Sequence, residues 1–156
     1  MEQLFKEWKY SVLEGEEAEE LFGLRARSNT FKDVWNRLED NLEDMDYHQG
    51  ESSSEHTRRV HRHMKELTLE LPRAEQELMS LLALLHDIGK PETRTDMDGK
   101  VSFKGHAKAS MKMAEKVLSE IEYEQRELLL ALIEHHMDML NAINTSNISF
   151  LAKDKI

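Results

Sequence analysis

Apolar residues recur along most of this chain at helical spacing. In Phe31-Lys32-Asp33-Val34-Trp35-Asn36-Arg37-Leu38 they fall on one face of a helix, with Asn29 or Thr30 as the expected N-cap. After the polar stretch Asp46 to Ser52, a second helix is expected to start near Ser53 or Ser54 and run to about Leu69. Pro72 then stands where the first turn of a third helix wants it. That helix carries Leu78, Met79, Leu81, Leu82, Leu84 and Leu85, apolar on nearly all sides, which predicts a buried central helix ended by Gly89 and Pro91. The Asp98-Gly99 pair predicts a turn, with a short hairpin at about 94–103 as the only β-structure. Helices are expected from about His106 to Ser119 and from about Glu124 to Ile143, with a last short one beginning after Asn144-Thr145-Ser146-Asn147. The opening segment, Met1 to about Tyr10, is weakly amphipathic.

Composition agrees with an all-α domain: two Pro, six Gly and long stretches of Leu, Glu, Lys, Met and Ala. A chain of 156 residues is expected to form one domain, its core over about 31–156 and residues 1–30 a helical extension. There is no Cys, which excludes disulfides and thiolate metal sites, so any metal must be held by His nitrogen and oxygen ligands. No apolar run approaches the ~20 residues of a membrane span, and the N-terminus lacks a signal-peptide pattern; a cytoplasmic protein is expected. Whether the chain is part of a larger protein is left open.

The formal charge of −10 argues against a broad, non-specific nucleic-acid surface. It leaves room for a small nucleotide, because a bound metal and a few cations can reverse the field inside one cleft. Eight His is a high count for this length, and most fall in a few short segments.

The sharpest motif is His86-Asp87, which ends the Leu-rich helix in Leu84-Leu85-His86-Asp87-Ile88-Gly89-Lys90. A buried carboxylate is costly without a partner, and a metal ion supplies one. The blander alternative for the dipeptide alone is a satisfied His and a capping Asp. Three further segments change the balance: His56 on the preceding helix, His106 opening a later one, and His135-His136 interrupting the apolar face of another. Imidazole with carboxylate and water suits iron, manganese, zinc or nickel. His61 and His63 lie on other faces of the His56 helix and are not read as ligands, and His48 is a surface residue or a substrate contact. Acidic residues from Glu14 to Glu20 and Glu39 to Asp46 read as solvated, Trp8 and Trp35 as core anchors, and Met111, Met113, Met137 and Met139 as gap-filling side chains.

Taken together, His56-Thr57-Arg58-Arg59-Val60, Leu85-His86-Asp87-Ile88-Gly89-Lys90-Pro91, Phe103-Lys104-Gly105-His106 and Ile133-Glu134-His135-His136-Met137 resemble the HD-domain metal-dependent phosphohydrolases. The wording of these segments, with Tyr47-His48-Gln49-Gly50-Glu51, is similar to the HD domain of bacterial CCA-adding tRNA nucleotidyltransferases, over about residues 31–140 and without the nucleotidyltransferase head.

The resemblance implies an HD-type helical bundle holding one or two divalent ions (Mn, Fe, Ni, Co, Zn or Mg). His56, His86 and Asp87 would hold the first, with Asp87 bridging to a second held by His106 and one or both of His135 and His136. Family order slightly favours His136, and makes Asp154 the expected last ligand, with Asp138 as runner-up. Metal-activated water would attack phosphorus in a phosphomonoester or cyclic phosphodiester of a nucleotide or nucleic-acid end. Lys90 and Arg94 would neutralise phosphate oxygens, and Glu55 or Glu134 would orient a ligating His. Two alternatives remain: a non-catalytic nucleotide-binding module, and a di-iron oxygenase.

Overall fold

A computed structural model describes residues 19–43 and 50–145, the side chains as far as Asp138. Expectations for the Met1–Tyr10 segment, Trp8, His48 and Asp154 lie outside the described residues, as do those for the short helix after Asn147.

Residues 19–27 are helical and bury Leu21 and Leu24. Helix α1 (Asn29–Asp40) follows after a single residue, Ser28. Ser28, not Asn29 or Thr30, is its N-cap: the side chain accepts from Phe31 N at 3.0 Å. Ser28 serves two helices at once. Its own N–H still bonds Leu24 O at 2.9 Å, while its carbonyl accepts from Lys32 N at 3.1 Å. One extended residue therefore turns the chain without leaving a buried polar group unpaired.

Helix α2 (Ser53–Leu67) is capped by Ser52, whose side chain accepts from Glu55 N. Helix α3 (Arg73–Leu85) begins after Pro72, whose carbonyl takes the first N–H groups, from Glu75 and Gln76, at 3.0 Å each. The helix buries Leu78, Ala83, Leu84 and Leu85 but leaves Leu81 and Leu82 only partly covered, so it is central on one side rather than all round. Gly89 and Pro91 do not end it. His86 is the C-cap, and the chain tightens through Ile88 N to Leu85 O (3.5 Å) and Lys90 N to Asp87 O (3.1 Å) into the short helix α4 (Lys90–Thr93). Pro91 lies in the first turn of α4, where its missing N–H costs nothing.

The expected hairpin is present: β1 (Thr95–Met97) pairs antiparallel with β2 (Lys100–Ser102), Asp96 opposite Val101. Asp98 and Gly99 both have positive φ, 54° and 76°, as a two-residue turn matched to strand twist requires. Helix α5 (His106–Ser119) has the expected limits, and α6 (Arg126–Thr145) starts two residues after the expected Glu124 and runs through Asn144 and Thr145.

Helix α5 packs on α6, α2 on α3, and α1 against both α2 and α5, with α3 touching α5 and α6. Their apolar faces meet in one core around Phe31, Trp35, Leu38, Leu85, Ile88, Val117, Leu129 and Ile133. Trp35 is fully buried there, its ring centroid 5.9 Å from that of Phe31, as a core anchor should be. Gly89 sets how closely the turn after α3 approaches α5. A Cβ at this position would stand 2.5 Å from Ser110 N, and Gly89 N–H donates to Ser110 Oγ at 2.8 Å. Among the described residues no helix is long and apolar enough to cross a membrane.

Candidate metal centre

The turn that follows α3 puts Asp87 at the meeting point of α2, α5 and α6. Its carboxylate is 3% exposed, and four imidazoles converge on it through their Nε2 atoms. Asp87 Oδ2 lies 3.3 Å from His56 and 3.0 Å from His86, while Oδ1 lies 3.2 Å from His106 and 3.7 Å from His136. The five residues thus form two three-ligand groups, His56-His86-Asp87 and Asp87-His106-His136, sharing one carboxylate.

The orientation of three of these rings is set within their own segments. Nδ1 of His86 donates to Ala83 O at 2.8 Å, Nδ1 of His106 to Phe103 O at 3.0 Å, and Nδ1 of His136 to Ile133 O at 2.6 Å. A carbonyl only accepts, so each Nδ1 carries the hydrogen and each neutral ring turns an Nε2 lone pair inward. His56 Nδ1 lies 3.4 Å from Glu51 Oε1 and 3.2 Å from Arg59 Nη2. Glu51, rather than Glu55 or Glu134, is the carboxylate beside one of the converging imidazoles: Glu55 bonds Ser52, and Glu134 lies 3.8 Å from the outlying His135.

The donor set fits a divalent cation. The inward lone pairs of His86, His106 and His136, aimed at a carboxylate, are repelled unless protons or a metal stand between them, and fixing Nδ1 by hydrogen bonds is how proteins orient metal-binding His. With protons rather than a metal between these groups, burial would raise the Asp87 pKa, but a charged His86 and hydrogen bonds donated by His106, His136 and His56 hold it well below the usual carboxylate range. Burial likewise disfavours a charged His86, and the Asp87 carboxylate more than offsets this, so its pKa is raised.

His135 stands apart from this group. Its side chain is 62% exposed and its Nδ1 lies 2.8 Å from Asp138 Oδ2, whose hydrogen bond raises the His135 pKa. Asp138 is exposed with it. Lys90 is buried, 2.6 Å from Glu43 Oε1 and 3.2 Å from Asp87 Oδ2. Arg94 reaches Asn41 Oδ1 at 3.0 Å and Asp96 at 3.1 Å, its guanidinium 5.8 Å above the Phe103 ring. Arg59 borders His56 and is 45% exposed, whereas Arg58 lies over Trp35 at 5.4 Å.

Two acidic residues read as solvated are tied into networks instead, Glu43 wholly buried and Glu20 partly so. Glu43 is fully buried against Lys90 and Ser53, and Glu20 bonds His61, Ser80 and Lys65. Each was hidden because its partners lie far away in sequence. His61 is buried in that second network, its Nε2 2.8 Å from Glu20 and 2.7 Å from Ser80, and His63 is exposed; neither belongs to the metal centre.

A family model described as the HD domain matches residues 53–154, a span containing all five converging residues. Comparison with curated proteins and with solved structures returns no match. HD domains bind divalent metals, and the superfamily is one of metal-dependent phosphohydrolases. Matched over well over half its length, with a His-Asp centre on a helical bundle, the chain belongs to the HD-domain family.

Proposed function

We propose that this chain hydrolyses phosphomonoester or cyclic phosphodiester bonds at a nucleotide or nucleic-acid end. One observation carries the reading: Asp87 is shared between two pairs of imidazoles whose Nε2 atoms all face it, the donor geometry for one or two divalent ions. The bound ion supplies Lewis acidity towards phosphate oxygen and a water acidic enough to act as nucleophile near neutral pH. The chain's own part is positioning. His56 and His86 fix one side of the centre, His106 and His136 the other, and Asp87 holds them in register.

Phosphoryl transfer needs cations that neutralise non-bridging oxygens. Of the two expected cations, Lys90 is buried between Glu43 and Asp87, and Arg94 is engaged by Asn41 and Asp96. Arg59 is also paired, with Glu51 at 2.5 Å, but it is half-exposed at the rim beside His56, where a phosphate can displace that contact, so we assign it the phosphate contact, with Arg94 behind it. The similarity of the motif wording to the HD domain of CCA-adding enzymes favours 2′,3′-cyclic or 2′-phosphate ends.

The test is a substrate panel of nucleoside 5′-, 3′- and 2′-phosphates and 2′,3′-cyclic phosphates, run with Mn, Ni, Co, Fe and Mg, with Asp87→Ala alongside. Phosphate or ring-opened product that appears with metal and vanishes in Asp87→Ala supports the reading. Metal binding without turnover on any substrate would leave a nucleotide-binding module in its place. A protein that binds no metal would sink it.

A further inference from the structure

The Lys90 ammonium is held between two buried carboxylates. Its Nζ lies 2.6 Å from Glu43 Oε1 and 3.2 Å from Asp87 Oδ2, with Glu43 0% and Asp87 3% exposed. Glu43 is carried in by backbone pairing across the neck between α1 and α2, where Glu43 N–H donates to Glu51 O and Ser53 N–H to Asn41 O, both at 2.8 Å. Its other oxygen accepts from Ser53 Oγ at 2.7 Å, and Asn41 Nδ2 donates to the same Oγ at 2.7 Å. Glu43 therefore cannot swing away, and a buried carboxylate fixed in this way needs the cation it faces.

The cation also touches the metal centre, nearest to one side. Asp87 Oδ2, the oxygen facing His56 and His86, is the one Lys90 approaches, at 3.2 Å, and no other Lys or Arg among the described residues pairs with Asp87. An ammonium and a metal ion compete for the charge on a single carboxylate oxygen. With Glu43 present the trio keeps one net negative charge for a metal; without it the trio is neutral.

We propose that Glu43, acting through Lys90, is a positioning residue of the metal centre. It draws the ammonium back from Asp87 so that Oδ2 can hold a cation, and it leaves the two halves of the centre unequal, the His56-His86 side binding more weakly. The inference rests on the metal-binding reading above.

The test is calorimetric titration of the metal-stripped full chain with Mn²⁺, with circular dichroism to verify folding. His56→Ala identifies which binding step belongs to the His56-His86 side. That step should weaken roughly tenfold in Glu43→Gln, the low end of what losing an outer partner of a metal ligand costs. It should return to within about threefold of wild type in Glu43→Gln/Lys90→Gln, which restores the net charge. An unchanged step in Glu43→Gln, or a double variant weaker than the single one, would overturn the proposal. If Glu43→Gln does not fold, the double variant decides alone: binding within threefold supports the proposal, and a tenfold loss refutes it. Failure of the metal-binding reading itself shows separately, as wild type that takes up no Mn²⁺.

Discussion

His106 Nε2 and His136 Nε2 stand 3.3 Å apart, and each ring has already committed its Nδ1 hydrogen to a backbone carbonyl. Two neutral imidazoles held this way face each other lone pair to lone pair, so the fold carries a repulsion that a cation removes. Metal should therefore stabilise the native state. At a free concentration of a hundred times Kd the gain is about 2.7 kcal/mol per site, roughly 5–10 °C in Tm for a chain of this size. Thermal melts with Mn²⁺ and with EDTA measure it, and identical Tm values would contradict it.

His135 and His136 are neighbours in sequence with opposite expected behaviour. His136→Ala should lower metal uptake and phosphate release by more than the roughly 10- to 100-fold cost of losing a ligand's outer partner. His135 is exposed and paired with Asp138, so His135→Ala should leave turnover intact and stability within about 0.5 kcal/mol. Steady-state kinetics on the pair read this directly, and a reversal of the two effects would mean that His135, not His136, serves the centre.

Gly89→Ala should harm both fold and centre. The added Cβ would meet backbone at Ser110 N (2.5 Å) and Ala109 C (2.8 Å), neither of which can rotate away. Overpacking of this kind costs about 1–3 kcal/mol, and the strain acts two residues from Asp87. Urea titration should show the lost stability, and Mn²⁺ binding should weaken alongside it. A variant as stable as wild type would mean that α5 can retreat freely.

Acid should loosen the helical segment at 19–27 from α2 and α3. Burial alone would raise the Glu20 pKa, but hydrogen bonds from His61, Ser80 and Lys65 lower it from 4.5 to about 2. A depressed carboxylate stabilises the fold above its unfolded pKa, so the contribution is complete above about pH 4.5 and is lost as pH falls towards 2. Glu20 is 38% exposed, and solvent screening leaves the contribution on the order of 1 kcal/mol. Chemical denaturation at pH 3 and pH 6 should show a smaller difference in Glu20→Gln than in wild type; equal differences would remove Glu20 as a cause.

Where information is local, the sequence carried it. Apolar spacing located α1, α2, α5 and α6 to within a few residues, and Asp98-Gly99 located the hairpin because two consecutive positive φ values demand such residues. The inward choice of His136 was also present as helix phase, since Leu129, Ile133 and His136 follow one another at i, i+4 and i+7 and the first two are fully buried. Glu43 gave no such signal. A lone Glu in an acidic run looks solvated, and the cation it faces, Lys90, stands 47 positions on. Glu20 was hidden in the same way, its partners His61 and Ser80 lying 41 and 60 residues away. Ser28, Asn29 and Thr30 are three consecutive residues of the capping type, so residue type alone does not single out Ser28 as the cap.

The three carbonyls that hold His86, His106 and His136 each lie three residues before the ring they fix. Aim is thus encoded in a four-residue word, and only the distance between words is left to the bundle. Such words can be carried on helices whose outer surfaces change freely, provided the helices still meet. A designer could move this centre to another bundle by copying three short fragments and the turn around Asp87, without inventing a separate scaffold for each imidazole.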